Sequence, residues 1–113
     1  MNGAPLKHLI STVLAVAALS AAPGKQTFTG IITDNMCAQG GHAPMRMGPT
    51  DAECTTACIN AHGATYVLRA AKDVYTLSDQ RTPETFAAQK VTVIGTLDPK
   101  TKTIQVESIR AAK

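Results

Sequence analysis

The sequence predicts a mainly β domain with one inserted helix, built as a small five-stranded OB-like barrel; an open antiparallel α+β sheet is the alternative. Three observations lead there. Five short stretches, 26–33, 65–69, 74–77, 91–97 and 103–109, are rich in alternating or β-branched residues. A well-signalled helix lies between the first two, and a shorter proline-led helix lies between the third and fourth.

The first strand, Gln26 to Thr33, alternates around Phe28, Gly30 and Ile32, with Gly30 marking a bend or bulge. Asp34-Asn35 turns the chain. Residues 36–49 carry Gly40-Gly41, Pro44 and Gly48-Pro49 and no apolar period, so they read as a loop. Thr50-x-x-Glu53 is a capping box, in which the hydroxyl accepts a first-turn N–H and the glutamate reaches back. Asp51 and Glu53 suit the positive end of the helix dipole. The helix runs to about His62, and Gly63 stops it.

Tyr66, Val67 and Leu68 centre the second strand, and Ala71-Lys72-Asp73 turns into the third, Val74 to Leu77. Pro83 begins the short helix at its tolerated first position, and that helix ends near Ala88. Val91 to Leu97 is the fourth strand, and Asp98-Pro99-Lys100 turns into the fifth. In that last strand Ile104, Val106 and Ser108 form one face, with Thr103, Gln105 and Glu107 on the other.

The N-terminus is expected to be a signal peptide over residues 1–22. Lys7 and His8 precede an apolar or small-residue stretch from Leu9 to Ala22, too short for a bilayer span of about 20 residues. Small residues suit cleavage after Ala22 or after Ser20. Residues 23–113 then form a single OB-like domain whose Cys/His/Met-rich loop-helix insertion occupies 34–63, and the mature protein is expected to be periplasmic or secreted. No second apolar stretch predicts a membrane span after cleavage. The formal net charge is +3, with basic residues scattered and aromatics limited to Phe28, Tyr66, Tyr75 and Phe86. Nucleic-acid binding therefore lacks both its electrostatic and its stacking signal. Tyr66 and Tyr75 read as barrel-packing residues.

The chemistry is concentrated in one segment. Met36, Cys37, His42, Met45, Met47, Cys54, Cys58 and His62 include every cysteine, and every methionine except Met1. Cys54, Cys58 and His62 recur at i, i+4 and i+8, so neighbouring pairs share a helix face with a drift of about 40° per step. Cys37 and His42 approach from the loop. Three cysteines and one histidine can close a tetrahedral zinc site. The same thiolates, with Met36, Met45 or Met47 nearby, suit Cu(I), which prefers soft sulfur. His62, at the helix end, is a reserve ligand. Asp34 beside the segment reads first as a strand-end turn residue, and otherwise as a hard ligand or a partner of one.

Two other readings stand beside metal binding. Export favours oxidation, so Cys37 can bridge to Cys54 or Cys58 and staple the loop to the helix, leaving one buried thiol. A Cys54–Cys58 bridge is less comfortable, with Cα atoms about 6 Å apart and diverging Cβ directions. The chain would then be a binding module for an envelope protein or ligand. A cysteine enzyme using Cys37, His42 and Asp34 is the least supported: a loop pair five residues apart is a weak nucleophile-base signal, and a thioredoxin-like CxxC is absent.

Cys54-x-x-x-Cys58 resembles the copper-handling motif of the synthesis-of-cytochrome-oxidase proteins, but only over those residues, because their thioredoxin fold is not predicted here. A wider likeness runs through Gly30-Ile31-Ile32-Thr33-Asp34-Asn35-Met36-Cys37, His42, Cys54-x-x-x-Cys58, Gly63-Ala64-x-Tyr66-Val67-Leu68 and Val91-x-Val93-x-Gly95. In these residues the chain resembles a group of small exported bacterial proteins of unknown function. The resemblance implies an exported OB-like domain with a shared Cys/His locus, and no particular activity.

Overall fold

The computed structural model describes residues 24–113. The expected signal peptide, 1–22, lies outside the described residues. Five strands form the domain: β1 (Gln26–Asp34), β2 (Tyr66–Ala70), β3 (Asp73–Leu77), β4 (Lys90–Asp98) and β5 (Thr103–Ala111). One α-helix, α1 (Asp51–His62), is inserted between β1 and β2, and short 3-10 turns cover Ala43–Met45 and Thr82–Phe86.

The strands form a ring in the order β1-β2-β3-β5-β4, with β4 returning to β1. All neighbours are antiparallel except β3 and β5, which meet over Thr76↔Thr103 and Leu77↔Ile104. This mainly β ring with an inserted helix is compatible with the expected OB-like arrangement. β1 serves two partners: Gln26 to Ile31 pair with β4, and Ile31 to Asp34 pair with β2. Gly30 sits just before the change of partner. A Cβ there would collide with the Arg69 carbonyl of β2, so the glycine permits a close backbone approach rather than a turn.

Inward residues alternate along the strands as period two requires. Ile32, Tyr66, Leu68, Leu77, Val91, Val93 and Ile104 form the core, each essentially removed from solvent. Burying a side chain of this size stabilises the fold by roughly 1.5–3 kcal/mol. Tyr75 is partly buried against that cluster, edge-on to Phe28 with ring centroids 5.4 Å apart. β5 departs from its simple alternation. Ile94 pairs with Ser108 and Gly95 with Val106, so Glu107 is an extra residue in a bulge. The bulge changes the phase: Ile109, not Ser108, packs against the core, and Ser108 is exposed.

The proline-led helix is shorter than its expected span, a 3-10 turn ending at Phe86, with Ala88 in a left-handed conformation at φ 64°. Helix α1 has the ends its sequence predicts. The Glu53 N–H donates to Thr50 Oγ1 at 3.1 Å, and Gly63 takes φ 66°, its N–H reaching the Cys58 carbonyl. Beyond it, Asn35 and Thr65 clamp the two feet of the insertion. The Asn35 N–H donates to the Thr65 carbonyl at 3.0 Å, and the Thr65 N–H returns to Asn35 Oδ1 at 2.9 Å. The insertion thus leaves and rejoins the barrel at adjoining strand ends.

Candidate metal centre

The site forms where the end of β1, the loop after it and one face of α1 converge. Asp34, the last residue of β1, is wholly buried. Its Oδ2 accepts the N–H groups of Met36 at 3.1 Å and Cys37 at 3.0 Å, curling the chain so that Cys37 turns inward. Cys54 and Cys58 project from the buried face of α1, both at 0 % exposure, while Cys37 is 3 % exposed. The helical spacing of four is what puts the two on one face.

The side chains fall into two overlapping sets. The ligand atoms of Cys37, His42 and Cys54 lie within 4.8 Å of one another, and so do those of Asp34, Cys37 and Cys58. Cys37 is common to both. No disulfide joins the three cysteines. The structure therefore brings together Cys37, His42, Cys54 and Cys58 from the expected residues and adds Asp34.

Local hydrogen bonds hold the donors. The Met47 N–H points at Cys54 Sγ, 3.2 Å away, so the end of the loop folds back over the helix. His42 Nε2 is 3.5 Å from Thr33 Oγ1, and its Nδ1 is buried with no hydrogen-bond partner. Asp34 Oδ1 is likewise buried and unpartnered. Such orphaned polar atoms are costly to bury unless something else satisfies them. A cleft of about 470 Å³ opens on the Cys37 and His42 side, walled by Thr33, Gly40, Gly41 and Arg69 among others. The cluster thus has a solvent-facing side, although most of its donors are buried.

Two of the thiols, Cys37 and Cys58, are held toward their protonated form. Burial pushes the Cys37 thiol up to about 12, helped by the Asp34 carboxylate and the other two thiols. Burial, then Asp34, also raises Cys58. A metal ion reverses this balance, because its charge favours the thiolate.

The remaining expected residues lie apart. His62 is exposed at the end of α1 and joins neither set, because a second step of four residues has rotated it away from the buried face. Met36 and Met47, between cluster residues in sequence, are 39 % and 38 % exposed and not buried in it. Met45 closes the 3-10 turn after His42, and its side chain lies outside the described part of the structure. Asp34 was legible as a turn residue next to Cys37; its full burial follows from being both the last β1 residue and the partner of Tyr66 in the sheet.

Residues 58–112 match the model of a family described as Protein of unknown function (DUF5818). That stretch begins at Cys58 and takes in β2 through β5, so it contains only one of the five clustered side chains. No curated protein and no solved structure matches the chain.

Proposed function

We propose that this protein binds a transition metal ion, Cu(I) or zinc, through Cys37, Cys54, Cys58 and His42, as an exported structural or metal-handling domain. One observation carries the reading: three buried thiols, an imidazole and a carboxylate form two sets with ligand atoms inside 4.8 Å, joined at Cys37. Thiolate and imidazole donors suit both ions. The cleft beside Cys37 and His42 supports exchange with solvent or a partner rather than a sealed centre. The exposed Met36 and Met47 favour metal handling if the ion is Cu(I).

The test is native and denaturing intact-mass spectrometry on protein purified from the periplasm with its thiols alkylated. A bound ion in the native spectrum, with three alkylatable cysteines after denaturation, is the expected result. A mass two daltons low, one alkylated cysteine and no ion overturns it.

That second outcome describes the alternative, a disulfide-stapled envelope binding module. Its support is the proximity of the Cys37 sulfur to those of Cys54 and Cys58, in a protein we read as periplasmic or secreted. Among the described residues no helix is long and apolar enough to cross a membrane.

A further inference from the structure

We propose that the ion is divalent and that Asp34 is one of its ligands. This inference rests on the metal-binding reading above and narrows it.

Asp34 has three properties of a ligand. It is wholly buried, where a carboxylate needs a partner. One oxygen is oriented by two backbone N–H groups, and the other, Oδ1, has no hydrogen-bond partner. A carboxylate oxygen also lies within 4.8 Å of the Cys37 and Cys58 sulfurs. No lysine or arginine supplies the missing charge: among the described residues the ion pairs are Lys25–Glu107, Arg46–Asp51 and Lys102–Asp73, all at the surface. A turn aspartate needs only the oxygen that caps the turn. The second oxygen, buried without a partner in a carboxylate that neighbours two thiols, is what a turn role leaves unexplained.

The donor chemistry then favours a divalent ion. A hard carboxylate oxygen mixed with thiolates is a zinc-like set, whereas Cu(I) makes little use of an anionic oxygen. Charge argues the same way. With Cys37 and Cys58 as thiolates the Asp34 set holds three negative charges, of which a divalent ion cancels two and a monovalent ion one. In a buried site the smaller residual charge costs less.

The experiment compares wild type with Asp34→Asn and Cys37→Ser. Each metal-free, reduced protein is titrated with Zn2+ and, separately, with Cu(I) against a competing chelator. Asparagine keeps an oxygen that can cap the turn but removes the anionic donor. Asp34→Asn is expected to weaken Zn2+ binding at least tenfold while leaving Cu(I) binding within about threefold, and Cys37→Ser is expected to weaken both. Unchanged Zn2+ affinity in Asp34→Asn, or equal losses for both ions, overturns the assignment. If wild type binds neither ion, the metal-binding reading itself has failed.

A second measurement needs no variant. Zn2+ added to wild type with 13C-labelled aspartate carboxylates is expected to shift one carboxylate band in the infrared difference spectrum. A spectrum without that shift overturns the proposal even where Asp34→Asn does not fold.

Discussion

Asp34 Oδ2 accepts the Cys37 backbone N–H at 3.0 Å, so the carboxylate that ends β1 also positions the first thiol of the cluster. One buried residue thus belongs both to the barrel and to the candidate metal centre. The expected behaviour of several variants follows from this joint and from the clamps around it.

Cys37 belongs to both donor sets, whereas Cys54 and Cys58 belong to one each. Cys37→Ser is expected to lower metal affinity roughly tenfold or more beyond the loss in Cys54→Ser or Cys58→Ser. Competition titrations with a chromophoric chelator measure the ranking. Equal losses in all three variants would count against Cys37 as the shared donor.

The raised Cys37 thiol gives a pH dependence of definite sign in the metal-free, reduced protein. In the unfolded chain a thiol ionises near 8.5, and in the fold Cys37 does so only at about 12. Below about pH 8.5 both states keep the proton, and the stabilisation is complete. Above it the unfolded chain releases a proton that the fold retains, so rising pH favours unfolding until about 12. Urea midpoints should fall as pH rises from about 8 to 10, less steeply in Cys37→Ser. Iodoacetamide should label native Cys37 far more slowly than Cys37 in denaturant, because the thiolate is the reactive form. Fast labelling of the native protein would contradict the buried, protonated thiol.

The insertion depends on the reciprocal bonds between Asn35 and Thr65 at its feet. Asn35→Ala removes the side-chain acceptor of the Thr65 N–H and is expected to cost about 1 kcal/mol in the metal-free protein. The same loosening should weaken metal binding several-fold, because binding is coupled to ordering of the site. Chemical denaturation and a zinc titration on one preparation separate the two effects.

Gln80 finishes the barrel where β2 begins. Its Oε1 accepts the Tyr66 N–H at 2.8 Å, and its Nε2 donates to the Tyr66 and Leu77 carbonyls, each at 2.9 Å. Gln80→Ala strands one backbone donor and takes a donor from two acceptors, a loss expected to cost about 1–3 kcal/mol. Metal affinity should change little, since Gln80 is in neither donor set. A thermal melt beside the zinc titration checks both statements.

Gly30→Ala should be more damaging than an ordinary exposed strand substitution. The added methyl would meet the Arg69 backbone carbonyl, which cannot rotate away as a side chain can. Loss of cooperative unfolding, or a large fall in midpoint, is expected by circular dichroism. A neutral effect would mean that β1 and β2 can part without cost at this point.

Local signals made most of the fold legible. Thr50, Glu53 and Gly63 act within one helix, so the bounds of α1 follow from nearest-neighbour chemistry. The positions of the strands along the chain follow from the same short-range cues, because alternation and turn residues mark each strand separately. β5 shows the limit: Ile104 and Val106 obey the alternation, but the bulge at Glu107 depends on pairing with β4, which no local pattern in β5 announces.

The order of residues alone locates the metal-site candidates and their donors: three thiols, two histidines and three methionines in one insertion, with Cys54 and Cys58 on one helix face because four residues make close to one full helical turn. Only the tertiary structure decided which of them meet. It set His62 outside, left Met36 and Met47 half in solvent, and drew Asp34 into the cluster beside Cys37 and Cys58. The physical reason is that helical spacing is a property of the chain, whereas the burial of a strand-end carboxylate depends on β2 and α1 closing over it.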